Sequence, residues 1–366
     1  MNNTSGISLR LSTSILWATL VACGGEHAKA TDTTAGAATP TPVPTANGAP
    51  AGERVYASNE DGDDITVIDA RSDSVIGTIQ PGKRPRGLRV TPDGKTLFVA
   101  VSGSPKGGPG IDESKLPPPD RSKDGIAMVD VATGKLVKAL PGGVDPESFD
   151  MNGDGTTLYV SNEDGSSVTV LDVASGTVKA TIPVGKEPEG VTRRPDGKVI
   201  YVACEGSSAV FVIDTDKNKV IAQFAAGKRP RSIAFTPDGK KAYIANEVGG
   251  SVTVADAQKH RVLKTLPIPG QGAKPMGTAM APDGKTVYVT TGRGGTLAII
   301  DTGADSVITT FPVGDRPWGV AVSPDGSKIF TANGPSNDVS VIDATSRQVI
   351  KKVKVGKVPW GIAIAK

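Results

Sequence analysis

The feature that most constrains this chain is a repeat. Pro85, Pro146, Pro188, Pro230, Pro275, Pro317 and Pro359 are separated by 61, 42, 42, 45, 42 and 42 residues. A second anchor, the Asp closing each "VxVID"-like segment, falls at Asp69, Asp130, Asp172, Asp214, Asp256, Asp301 and Asp343, with spacings of 61, 42, 42, 42, 45 and 42. Two independent anchors with one period define a repeat architecture before any residue-level reading.

Each unit carries four short runs rich in Val, Ile, Ala and aromatic residues, divided by Gly, Pro, Asp and Asn, as in "RPRSIAFTPDGKKAYIANEVGGSVTVADAQKHRVLKTLP", residues 229–267. Runs of about five apolar or alternating residues fit strands and are too short for helices. The recurrent PDG segments supply Pro where φ is fixed and Gly where φ must be positive, which predicts hairpin turns between the first and second strands. Four-stranded units of this length predict an all-β fold, a seven-bladed β-propeller of four-stranded antiparallel blades. The N-terminal repeat, residues 54–82, lacks a first strand, and the chain ends on one, "PWGIAIAK". The expectation is a ring closed by pairing the C-terminal strand with the N-terminal three, leaving no edge for another chain and favouring a monomer.

The repeat assigns residues 54–366 to one domain, and the net charge of +3 gives no electrostatic reason to bind nucleic acid. Residues 1–22 read as a signal peptide, with the apolar run LSTSILWATLVA after Arg10 ending in LVAC. That box resembles a lipoprotein processing site with Cys23 as the lipidated residue, anchoring the protein in the periplasm or outer membrane through its lipid alone. Cleavage after AKA, residues 28–30, is the alternative and leaves a soluble secreted protein. Residues 23–53, rich in Thr, Ala, Pro and Gly, read as a tether.

Only two Cys and two His occur. With Cys23 lipidated, Cys204 is a lone, small, strand-end residue, which reads as buried and inert. His27 lies in the leader region and His260 in a turn on the face away from the Pro segments. This leaves no His for a metal cluster, a Ser-His triad or a general base at the channel, and no metal site is expected.

The strand meander puts the residue after each Pro around the mouth of the central channel: Arg86, Glu147, Glu189, Arg231, Met276, Trp318 and Trp360. Two readings stand for this ring: opposed charges plugging the channel, or a polar and aromatic cup for a small organic ligand. Around it the second-strand ends add Asn59, Glu60, Asn162, Glu163, Glu205, Asn246, Glu247, Arg293 and Asn333, Asn also being a common turn residue. The insert at residues 103–125 accounts for the 61-residue spacing and is expected to flank the same face. Glu147 and Glu189 could form an acid and base pair, but Arg86 and Arg231 beside them are expected to hold both ionised, which favours binding over proton transfer.

The unit "GxxPxGxxxxPDGKxxYVxNxxxxxVxVIDxxxxxVxxTIPVG" resembles the YVTN family of propeller repeats across residues 54–366. The order RPRG, DPES, EPEG, RPRS, KPMG, RPWG, VPWG resembles exported propellers associated with pyrroloquinoline quinone-dependent alcohol catabolism. That resemblance implies an accessory or binding component with no catalytic residue and no cofactor of its own. The resulting expectation is a non-catalytic scaffold whose site at the channel mouth takes a small ligand or a cell-envelope protein. The alternative is an enzyme at the same face: a lyase, a lactonase or a quinone-dependent oxidoreductase.

Overall fold

A computed structural model describes residues 52–107 and 111–365, with the Glu113 side chain excluded. The leader, and the tether up to residue 51 with Cys23, lie outside the described residues. What is described is a ring of seven four-stranded sheets, six made of consecutive strands and one that joins the two ends of the chain. Numbering from the first complete sheet, blades one to six span residues 88–140, 146–183, 188–225, 230–267, 278–312 and 317–354. The seam blade orders Pro359–Ala365, Arg54–Asn59, Asp64–Asp69 and Ser74–Ile79 from the axis outward.

The seam is antiparallel, with Arg54 opposite Ala365, Val55 opposite Ile364 and Tyr56 opposite Ala363. Its hydrogen bonding gives the first strand of the chain a partner on each side, so closure leaves no inner edge open. The PDG segments are the expected turns: Gly239 N donates to Thr236 O at 2.8 Å and Gly326 N to Ser323 O at 2.8 Å, each Gly having φ between 66° and 75°.

The core is not central. Apolar side chains pack between neighbouring blades in seven clusters, one at each junction. At the junction of blade six with the seam, Phe330, Val339 and Val341 meet Val55, Ala57 and Ile68, all fully buried. Each such side chain is worth roughly 1.5–3 kcal/mol of burial, so the seam is held by packing as well as by its strand ladder. Second and third strands are buried on both faces. The fourth strands form the rim, and Lys135–Leu140 is exposed at every position but the last.

The arrangement at the axis positions the site. First strands approach so closely that a Cβ at Gly190 or Gly277 would collide with the Arg231 or Trp318 carbonyl of the next blade. The same crowding meets a Cβ at Gly87, Gly319 and Gly361, so five of the seven ring residues are followed by Gly, and the other two by Ser148 and Ser232.

Candidate functional site

A backbone device aims the ring residues at the mouth. In blade three Pro188 pairs with Cys204 but Val191 pairs with Val202, so one extra residue is inserted just after the Pro. The same slip follows Pro146, Pro230, Pro317 and Pro359. A bulge of this kind releases a residue from the ladder and redirects its side chain. Here it redirects Glu147, Glu189, Arg231, Trp318 and Trp360, which line one cavity of about 1110 Å³ together with Arg86 and Met276.

A second tier comes from the ends of the second strands. Glu60, Glu163, Glu205, Glu247 and Arg293 also line the cavity. The four Asn expected beside them do not. Asn59, Asn162, Asn246 and Asn333 are buried and turn into their own blades, where each Nδ2 donates to a third-strand hydroxyl: Thr66, Thr169, Thr253 and Ser340, at 2.8 to 3.0 Å. Placing them in the ligand ring is corrected on this ground: the Asn bolts strand two to strand three, and after Asn59, Asn162 and Asn246 it is the following Glu that faces the cup. Cys204 takes the Asn position in blade three and is fully buried, its thiol pushed up to about 12 by that burial. His260 lies on the far face, its Nδ1 2.7 Å from the Tyr201 hydroxyl.

A third tier did not emerge from the sequence. Arg84, Asp145, Glu187, Arg229 and Arg316, each immediately before the Pro, line the same cavity. All have left-handed backbone, with φ from 42° to 53°, a conformation that costs a non-glycine residue roughly 1–2 kcal/mol. What holds it is the rim: Glu163 N donates to Asp145 O at 3.0 Å, Glu205 N to Glu187 O at 2.9 Å and Glu247 N to Arg229 O at 2.8 Å. The repeated charge before Pro, in "KRPRG", "DPES", "EPEG" and "RPRS", was the available signal. The insert adds Lys106, which pairs with Glu60 at 3.2 Å and Asp61 at 3.0 Å, while Arg121 reaches Asp164 at 2.6 Å. Its described residues flank the cavity, as expected; residues 108–110 lie outside the described residues.

The charges form two clusters. Arg86 meets Glu147, Asp145 and Glu163, the last at 3.2 Å. Arg231 Nη1 lies 2.7 Å from Glu189 and 2.7 Å from Glu205, with Glu247 at 3.7 Å, and Arg229 also binds Glu205. The first cluster sets three carboxyls against one guanidinium and the second sets three against two, and burial makes the surplus charge costly. Burial accordingly pushes the Glu147 carboxyl up to about 8 against the pull of Arg86, with Glu163 repelling it further. Glu189 is driven well above the usual carboxylate range by burial, against Arg231 and with Glu147 opposing its charge. Burial acts on Glu205 too, but Arg231 and Arg229 outweigh it and hold that carboxyl below its ordinary value. Arg86 itself stays a cation, because Glu147, Asp145 and Glu163 together outweigh its burial. The expectation that the arginines keep Glu147 and Glu189 ionised is thus corrected: both are buried, and the cations are shared among too many acids.

The cup therefore sets carboxyls of raised and lowered proton affinity side by side. Glu163, Glu189 and Glu205 offer oxygens that all lie within 4.8 Å of one another. Such a split is what acid and base catalysis at one centre requires.

Residues 190–362 match a family model described as "Lactonase, 7-bladed beta-propeller". No curated protein matches the chain. Among solved structures, hydrazine synthase of Kuenenia stuttgartiensis is similar at 24% identity and a TM-score of 0.65, covering 77% of this chain and 89% of that one. The periplasmic gluconolactonase of Pseudomonas aeruginosa is similar at 22% identity and 0.68, covering 86% and 99%. A 6-phosphogluconolactonase-like protein of Bacteroides fragilis is similar at 18% identity and 0.70, covering 86% and 98%. These likenesses establish the seven-bladed propeller. The family match overturns the expectation of a non-catalytic scaffold and favours the enzyme alternative instead. The matching model is of lactonase-type seven-bladed propellers and does not carry the quinone association of the sequence resemblance.

Proposed function

We propose that the protein hydrolyses a lactone in the cup at the channel mouth. The observation that carries this reading is Arg231, whose Nη1 bridges Glu189 and Glu205, two carboxyls with opposite shifts. Ionised Glu205 is the base that takes a proton from water as the water oxygen bonds to the lactone carbonyl carbon. The charge developing on the carbonyl oxygen is met by the guanidiniums of Arg229 and Arg231, fixed in place before the reaction. Collapse of the tetrahedral intermediate breaks the bond to the ring oxygen, and protonated Glu189 supplies that oxygen with its proton. The product is an open-chain hydroxy acid.

The match to the lactonase family model supports this reading, and the closed propeller supplies a rigid frame for it. The leader and its LVAC box support placing the reaction outside the cytoplasm. The test is acid release by the full chain from a panel of γ- and δ-lactones, D-glucono-δ-lactone included, followed by pH-stat titration. Turnover of at least one lactone above the spontaneous rate, lost in Glu205→Gln, is expected. A folded protein that opens none of them overturns the reading.

A further inference from the structure

The charged tiers of the cup come from the repeats, but one wall comes from the insert in blade one, and its chemistry is different. Of the insert side chains that line the cavity, Lys106 alone is charged, and Glu60 and Asp61 pair with it. Ser104 is buried, its Oγ taken by Arg121 at 2.8 Å. The other side chains are Pro105, Ile111, Leu116 and the run Pro117 to Pro119. A Pro run fixes φ and has no backbone N–H, so that stretch offers a donor from neither side chain nor main chain.

This wall is fixed in place. Its two legs are joined where Asp120 N donates to Gly103 O at 3.0 Å and Gly103 N to Asp124 Oδ1 at 2.8 Å, so close that a Cβ at Gly103 would collide with Asp120 O. One leg is pinned to blade two by Arg121 and Asp164, the other to the seam blade by Lys106. Lys106 Nζ also lies 5.8 Å from the centre of the Trp318 ring, which brings the insert up to the sector of the ring held by Met276, Trp318 and Trp360.

Among the described residues, large apolar side chains exposed to solvent lie on the fourth strands at the rim, with three exceptions: Ile111, Val144 and Val248. Ile111 and Val248 line the cup. Single apolar side chains on a rim are ordinary, but several converging with a Pro run on one concave cavity mark a binding surface. The cavity, at about 1110 Å³, exceeds the roughly 300–1,000 Å³ of usual small-ligand pockets, so a bare lactone ring leaves most of it unfilled.

We infer that the insert is a specificity wall, which takes an aryl substituent carried on the lactone ring, with Ile111 and Leu116 as the side chains that contact it. An aromatic group gains a large buried area against Pro rings and aliphatic side chains and asks for no donor from them. As a statement about substrate this rests on the lactone-hydrolase reading, but the apolar contact can be measured without turnover.

The experiment is calorimetric titration of the full chain with two δ-lactams that resist opening: dihydrocarbostyril, which carries a fused benzene ring, and δ-valerolactam, which does not. Ile111→Ser, Leu116→Ser and Leu116→Met are compared with Leu136→Ser, an exposed change on the outer rim, and thermal melts verify folding of each. Expected is saturable binding of dihydrocarbostyril, about tenfold or more tighter than δ-valerolactam, insensitive to NaCl and with a negative heat-capacity change. That preference should fall by about threefold or more in each Ser variant at the insert, return in Leu116→Met and persist in Leu136→Ser. Equal affinity for the two lactams, no saturable binding of either, or a preference that survives both Ser substitutions overturns the wall. Turnover of dihydrocoumarin and δ-valerolactone by the same proteins separates this inference from the reading beneath it. If the lactam preference is found but no lactone is opened, the aryl contact stands and the hydrolase reading falls; if lactones are opened without that preference, the reverse holds.

Discussion

Arg231 Nη1 lies 2.7 Å from Glu189 Oε1, although burial drives that carboxyl toward its protonated form. A guanidinium this close would normally hold a carboxylate ionised. It does not do so here because the same nitrogen is equally near Glu205, whose charge it shares with Arg229. Arg231 and Arg229 serve Glu205 together while Glu189 has Arg231 alone, so burial raises one carboxyl and the cations lower the other, and the two side chains acquire different chemistry from identical covalent structure.

Glu205→Gln removes the ionised member while keeping its shape. Turnover of the best lactone substrate should fall by about 10²–10⁴-fold, the usual contribution of a positioned base, with KM changed far less. Steady-state kinetics at matched protein concentration check this; a variant with wild-type kcat shows that Glu205 is not the base.

Stability should depend on pH through Glu147. Its folded-state value of about 8 stands above the ordinary 4.5, so the folded protein binds a proton that the unfolded chain releases. Stability from this group is complete at acid pH and is lost as pH rises from about 4.5 to about 8, at up to roughly 1.4 kcal/mol per pH unit. Denaturant melts between pH 5 and pH 9 should show that decline in the wild type and a flatter profile in Glu147→Gln. Parallel profiles count against a protonated Glu147.

Asn246→Ala should destabilise by about 1–3 kcal/mol, since it strands the buried Thr253 hydroxyl and the Gly227 N–H that its side chain serves at 3.0 and 2.9 Å. Because the side chain points into the blade, kcat/KM per folded molecule should be unchanged. A large loss of activity with unaltered melting would return Asn246 to the site.

A chain ending at Lys354 loses the strand Pro359–Ala365 and exposes the inner edge of Arg54–Asn59. Cooperative thermal unfolding should disappear and aggregation increase, seen by calorimetry and light scattering. A sharp transition near that of the full chain would mean that the ring does not need its seam.

The seven-bladed ring, its closure and the positions circling its mouth were legible in the chain, because the period of the Pro and Asp anchors and the strand patterning are local and recur seven times. The insert's side of the ring followed from the same meander. Which side chains turn into the cup was not legible. Asn246 and Glu247 are neighbours in sequence, yet a hydrogen bond to a third-strand hydroxyl takes one inward while a contact with Arg229 O holds the other at the rim. Arg84 and Arg229 escaped notice because left-handed backbone before Pro is set by contacts with the end of a different strand. The protonation of Glu147 and Glu189 is still less local, since it depends on how many charges from separate blades share each guanidinium and on the water they exclude together. Repetition encodes the frame, residue by residue, but the chemistry of the cup arises from the places where repeats differ, and those differences meet only when the ring is closed.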